Sequence, residues 1–336
     1  MTLDQASEDL LVVYSARGRR PIHLSTPESA RAAGAQGWLP LGTGTAMCSV
    51  REHVVGSIGG EFRVRVLRPA ARTSAVVVYL HSGGWLLGDI DGYDALGRIL
   101  AARSGATVVL ANYRKAPEHP FPLPVEDAWA ALRWAGEHRA SLAGEDVGPV
   151  PLIVAGDSAW GSLAAVTALR AREAGGPRIS QQPLICPITD CDRDRPSYLD
   201  PANQLLLSAD TMAWSFDHYV GEGDRTHPEV SPLRARDHRG LRTPRWSSPA
   251  TIPSTTRDSP TPTDFVPRGP RRRAGLSRPG ARLLRNGHRA ARQRRCDGLP
   301  RRAASAACSR RCMKSRSDRT GSTRAPSGQP APKEKR

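Results

Sequence analysis

The sequence contains no C-x-x-C pair. Its six cysteines are Cys48, Cys186, Cys191, Cys296, Cys308 and Cys312. Cys308 and Cys312 stand four apart, but no histidine or cysteine cluster joins them, so no metal site is expected. No apolar segment follows the N-terminus and no run approaches membrane-spanning length. A membrane partner is therefore not expected, and a cytoplasmic location is the default. Aromatic residues make up 5% and hydrophobic residues 39% of the 336-residue chain. That is enough for a core but low for a whole α/β enzyme.

Acidic residues are nearly missing from the C-terminal end. From Arg245 to Arg336 there are 24 Lys and Arg against 5 Asp and Glu, whereas residues 1–244 carry 25 basic against 27 acidic. The net charge of +17 thus belongs to the tail, and the rest of the chain is close to neutral. An arginine-rich tail binds polyanions through counterion release, without sequence preference. It offers only Trp246 and Phe265 for base stacking, so no specific nucleic-acid partner is expected. Eleven prolines and the runs Arg271-Arg272-Arg273, Arg294-Arg295 and Arg301-Arg302 interrupt it. No strand pattern follows Pro244, and such a composition cannot offset the entropy of folding by apolar burial.

Before the tail, periodicity is legible. Leu10 to Tyr14 is expected to lie in a short helix. Thr26-Pro27-Glu28 reads as a helix start, with Thr26 as cap and Pro27 in the first turn. Glu61 to Leu67 alternates and reads as an antiparallel edge strand. Ala75 to Leu80 is continuously apolar, as a strand buried on both faces would be. Helix over 91–104, strand over 107–111, helix over 125–138, strand over 150–155, helix over 162–172 and strand over 183–187 follow. This alternation predicts an α/β fold with a mostly parallel sheet. Residues 196–220 turn helical and unusually apolar, either a lid over a pocket or a packing helix.

Six residues dominate the middle of the chain: Gly156-Asp157-Ser158-Ala159-Trp160-Gly161. They join a strand to a helix, the context in which a serine becomes an exposed nucleophile on a strained turn. Small residues two before and two after the serine let strand and helix approach closely. Gly156 meets that requirement and Trp160 breaks it, so overpacking is expected at Trp160.

Three motifs together point to a family. His81-Ser82-Gly83-Gly84-Trp85 resembles the His-Gly-Gly-Gly-aromatic loop of the hormone-sensitive-lipase-like α/β-hydrolases (fold-3 serine esterases and lipases). Tyr113 to Pro122 resembles their Tyr-Arg-Leu-Ala-Pro-Glu-His-Pro-Phe-Pro segment, with Lys115 in place of leucine. Gly156 to Gly161 is similar to Gly-Asp-Ser-Ala-Gly-Gly, with Trp160 in place of glycine. Pro196 to Tyr219 is similar to the cap-side helix, and Ser231 to Ala235 to the loop before the next strand. The resemblance covers roughly 20–244. It implies an α/β-hydrolase fold with a helical cap, incomplete at the C-terminal end: an N-terminal cap region over 1–50, a partial core over 51–244 and the tail over 245–336.

The resemblance also implies ester hydrolysis on short or medium acyl chains, with no cofactor or metal. Ser158 would be the nucleophile. Backbone N–H groups of Gly83, Gly84 and Ala159 would form the oxyanion hole. His81 would anchor its loop or simply pack at a strand end. Asp157 is expected to order the turn, and Glu118 and Asp127 to be structural. The partner would be a small-molecule ester, with a homodimer allowed.

The family's acid and base segments are not recognisable. Asp258 and His288 are the stand-ins, in the right chain order, with no strand before either; His218, His227 and His238 come too early. A frameshift near residue 244 accounts for an Arg- and Pro-rich tail in a GC-rich gene. Trp160 and Ser82 fit the same history, each one base change from a glycine codon. The alternative function is a catalytically inactive remnant or a ligand-binding protein on the same fold. The sheet edge beyond 183–187 is expected to be open.

Overall fold

The structure is a computed structural model that describes residues 5–247, apart from 17, 19, 38–41, 145–147, 202–203, 205–206 and 242–244. Two helices open the described chain, α1 (Gln5–Ala16) and α2 (Pro27–Gly37), and the Thr26 hydroxyl accepts the Ser29 N–H at the start of the second. Strands β1 (Ser49–Ser57), β2 (Gly60–Arg68) and β3 (Val76–Leu80) lead to α3 (Asp94–Ser104) and β4 (Thr107–Asn112). Then come α4 (Leu123–Glu137), α5 (Arg139–Ala143), β5 (Leu152–Asp157) and α6 (Ala159–Glu173). The short strands β6 (Ile179–Gln181) and β7 (Pro183–Ile185), helices α7 (Pro196–Leu199) and α8 (Ala209–Val220), and β8 (Arg245–Ser247) complete the described elements.

The strands form one sheet in the order β1-β2-β4-β3-β5-β7-β8, with β6 beside β5. Pairing is parallel from β4 to β8 and antiparallel at β1·β2 and β2·β4. A period of two along β3 splits its side chains between two cores. Val76, Val78 and Leu80 join Val109, Val154, Leu132 and Leu163 on one face. Tyr79 joins Leu110, Ala155 and Leu67 on the other. That explains the unbroken apolar run, since each face needs its own set. Gly97 of α3 lies where a Cβ would come within 2.7 Å of Leu67, so this helix sits low on the sheet. Helix α6 is buried nearly all round, from Ala159 to Leu169, as a central helix of a layered fold should be.

Three sequence expectations change. First, β2 is an interior strand, because β1 pairs along its whole length from Ser49↔Arg68 to Ser57↔Gly60. The turn between them uses Gly59 at φ +73°, which only glycine takes without strain. Strand β1 was unreadable because Val50 and Val54 face outward and only Val55 is buried. Second, β7 is not the last strand: β8 pairs with it in parallel, Leu184 opposite Trp246. Ladder bonds use backbone groups, so three residues can pair without an apolar pattern. Third, residues 196–220 hold two helices. Ser208 interrupts them and caps α8, its hydroxyl accepting the Thr211 N–H at 3.2 Å.

Candidate active site

Strand β5 delivers the chain to Ser158, whose backbone sits at φ 57°, ψ −128°. A non-glycine residue there costs about 1–3 kcal/mol and persists only where its surroundings hold it. The holding bonds are visible. The Ser158 N–H donates to the Ile185 carbonyl at 2.8 Å, and the Ile188 N–H donates to the Ser158 carbonyl at 3.1 Å. Strand β7 and the segment after it thus clamp the turn from the side. A Cβ on Gly156 would collide with the Trp160 carbonyl oxygen, and one on Gly161 would lie 2.7 Å from Pro187 Cβ. The close approaches therefore fall at Gly156 and Gly161.

Trp160 sends its indole away from that crossing, toward the loop after β3. It is fully buried. Its ring lies 4.1 Å from that of His81 and 3.6 Å from that of Tyr113, centroid to centroid. The second spacing is shorter than aromatic pairs prefer, and the indole N–H has no hydrogen-bond partner among the described residues. The bulk expected at the crossing of strand and helix is therefore absent from it and lies against the side chains of two motif loops.

His81 is enclosed by rings. Tyr93, Tyr113 and Trp160 surround it, and its Nε2 finds no hydrogen-bond partner among the described residues. Burial pushes the imidazole well below its ordinary range, and the cation of Lys115 adds to this. Its Nδ1 lies 3.4 Å from the carbonyl of Ser82 in its own loop. Among the described residues the ring makes no hydrogen bond to the Ser158 hydroxyl.

The loop from Ser82 to Trp85 turns on two glycines, Gly83 at φ 145° and Gly84 at φ 58°. A Cβ on Gly83 would strike the Leu87 carbonyl oxygen, and one on Gly84 would stand 3.1 Å from Ser215 Oγ. The Gly83 carbonyl accepts the N–H groups of Leu86 and Leu87, while the N–H groups of Gly83 and Gly84 are in no backbone hydrogen bond among the described residues. Ala159, as the first residue of α6, has no intrahelical acceptor for its N–H. Helix α8 covers this loop. Trp85 stacks on Tyr219 at 4.5 Å and 1°, and packs against Phe216 at 5.1 Å. The apolar stretch of 209–220 is thereby accounted for: its Met212, Phe216 and Tyr219 are buried.

Asp157 holds the end of β5 to its neighbours. The Tyr79 hydroxyl donates to it at 2.9 Å, and Ser82 lies near enough to favour its charged form. Burial raises the Asp157 carboxyl to about 6, against the pull of Tyr79 and Ser82. An unfolded aspartate titrates near 3.9. Between the two values the native state holds the proton and the unfolded chain does not, so stability falls as pH rises from about 4 through 6. Asp157→Asn should flatten this part of the stability profile. Urea midpoints at pH 4.5 and 7.5 would check it; an unchanged difference between parent and variant would remove Asp157 from the account.

Two residues here, Arg31 and Asp190, were not read from the sequence. Arg31 of α2 clamps two motif loops, donating to the carbonyls of Leu86 and Ala116 and, at 2.7 Å twice, to the carboxylate of Glu118. Asp127, fully buried, accepts from the Arg114 backbone N–H, Nε and Nη2. Both carboxylates are structural, as expected, but Arg31 carried no pattern. Asp190 holds the segment after β7 by receiving Arg195 and Arg234.

The acid and base positions are another matter. Asp258 and His288 lie outside the described residues. Five of the other described histidines are hydrogen-bonded elsewhere: His23 with Thr211, His138 with the Trp134 carbonyl, His218 with the Trp214 carbonyl, His227 with the Glu229 N–H and His238 with the Pro232 carbonyl. Among the described residues no helix is long and apolar enough to cross a membrane.

The architecture has counterparts. The chain is 43% identical over 172 residues to the carboxylesterase NlhH of Mycobacterium tuberculosis, covering 49% of this chain and 53% of that protein. It is 37% identical over 183 residues to an ethyl acetate hydrolase of Pseudomonas putida, covering 52% and 56%. The chain spans about half the length of the curated relatives it matches. A hyperthermophilic esterase from the archaeon Pyrobaculum calidifontis superposes with a TM-score of 0.68 at 32% identity, over 76% of this chain and 82% of that one. A family model described as alpha/beta hydrolase fold matches residues 77–256, past the point at which the motif resemblance stops. The chain therefore belongs to the α/β-hydrolase fold-3 family.

Proposed function

We propose that the protein is a carboxylic ester hydrolase acting on short or medium acyl esters, with Ser158 as nucleophile. The observation that carries this reading is the backbone of Ser158 at φ 57° between β5 and α6. Strain of this kind is retained at sites where it positions a reacting group. The Ser158 oxygen would attack the ester carbonyl carbon, the carbonyl oxygen would take the negative charge, and the alcohol would leave to give an acyl-enzyme that water cleaves. The N–H groups of Gly83, Gly84 and Ala159 are the donors for that charge. Asp258 and His288 are the candidates for orienting acid and general base, and His81 for anchoring the oxyanion loop. The names of the relatives, a carboxylesterase, an ethyl acetate hydrolase and an esterase, support the substrate class.

Labelling of the full chain with a fluorophosphonate probe tests the reading. One phosphonylated residue is expected, Ser158, and none in Ser158→Ala. A second reading, an inactive remnant or ligand-binding protein, is favoured by the engagement of five described histidines away from Ser158; a folded protein that resists the probe would establish it. An out-of-frame tail is proposed on the composition of 245–336 alone, and sequencing across codons 242–262 decides it.

A further inference from the structure

We infer that Lys115 is a nucleophilic amine that condenses with small aldehydes in a cleft separate from the Ser158 site. The cleft, of about 520 Å³, is lined by Lys115 together with Arg31, Arg63, Asp89, Asn112 and Glu118. It does not include Ser158, Gly83 or Gly84.

Lys115 stands in the motif position where the family pattern has leucine, on the wall of a cleft otherwise lined largely by polar and charged side chains. The side chain is partly buried, and its Nζ lies 5.1 Å from the Tyr113 ring centroid. Its hydrogen bonds go to two neutral acceptors, Asn112 Oδ1 and the Tyr113 carbonyl, each at 3.1 Å. Among the described residues no carboxylate lies within ion-pair distance of Nζ. The nearby carboxylates are committed: Glu118 to Arg31 and Asp127 to Arg114, while Asp89 accepts from the backbone N–H groups of Asp91 and Gly92. An ammonium without a close counter-ion in a desolvated site gives up its proton readily.

The charges facing it act in both directions. Burial, the largest influence, and Arg31 lower the amine, Asp89, Asp127 and Glu118 act to raise it, and the balance stands at about 8. An amine titrating near 8 is neutral in about a tenth of molecules at pH 7, against fewer than about one in a thousand for an ordinary lysine near 10.4. The neutral nitrogen then attacks the aldehyde carbon. A C–N bond forms, the carbinolamine loses water as the C–O bond breaks, and a Schiff base remains.

The chain makes the test clean, because its four lysines are Lys115, Lys314, Lys333 and Lys335. The full chain is treated at pH 7 with acetaldehyde and cyanoborohydride, which reduces the imine to a stable secondary amine, and the modified peptides are quantified by mass spectrometry. Alkylation is expected at least about tenfold faster at Lys115 than at the other three, with the preference abolished in 6 M guanidinium chloride. Lys115→Leu, which restores the family residue, removes the fast phase and retains the circular dichroism of the parent. Equal or slower reaction at Lys115 in the native protein overturns the inference. So does a preference that survives in denaturant, since that would belong to the local sequence and not to the cleft.

Discussion

Ser158→Ala is expected to lower kcat/KM for p-nitrophenyl butyrate on the order of a thousandfold or more, the range found when a covalent nucleophile is removed and only binding and oxyanion donors remain. The fold should survive the change. The Ser158 hydroxyl is in none of the hydrogen bonds that hold the turn; those run from its backbone N–H and carbonyl to Ile185 and Ile188. Alanine at φ 57° is no more strained than serine, so the melting temperature should hold. Ser158→Gly makes the contrast: glycine adopts positive φ freely, so this variant should also lose activity while melting higher. Hydrolysis assays alongside thermal melts would read both. Retained turnover in Ser158→Ala would end the nucleophile assignment. A large fall in melting temperature with alanine would show that the hydroxyl is structural.

Asp127→Ala should be the most destabilising single substitution among the charged residues. The carboxylate has no exposure and Arg114 keeps only 11% of its side-chain surface. Three donors of Arg114 converge on the two carboxylate oxygens, and a fourth bond runs from Arg114 Nη2 to the Ile58 carbonyl at 2.7 Å. The pair therefore pins the motif loop to α4 and to the β1–β2 turn together. Removing one partner leaves a buried guanidinium without its counter-charge, a loss of about 3–5 kcal/mol. Urea denaturation of Asp127→Ala and of Arg114→Ala/Asp127→Ala would measure it. The double variant should recover part of the loss, because no buried charge is then left alone. A loss below about 1 kcal/mol in the single variant would contradict the burial-driven argument.

Much of the fold is written in local pattern. The run from Val76 to Leu80 required a strand with apolar groups on both sides, and Gly156 to Gly161 required a sharp strand-to-helix turn. Thr26 and Pro27 announced a helix. Each of these depends on chain geometry within a few residues, which is why order and spacing sufficed. Strand β1 escaped because its valines at 50 and 54 face outward. Strand β8 escaped because three paired backbones leave no signature in side-chain chemistry.

What only the tertiary structure decided is which distant groups meet. No local rule sends Arg31 across to Leu86, Ala116 and Glu118, or places the Tyr79 hydroxyl on the Asp157 carboxylate. Trp160 shows the division most plainly. As sequence it was a bulky residue where the family pattern has glycine. Packing directs its ring onto His81 and Tyr113 and leaves the close contacts to Gly156 and Gly161. Local sequence determines backbone shape because sterics act over one or two bonds. The environment of a side chain is set by whichever elements the sheet order brings alongside it, and β3, β4 and β5 become neighbours only once the chain has crossed over twice.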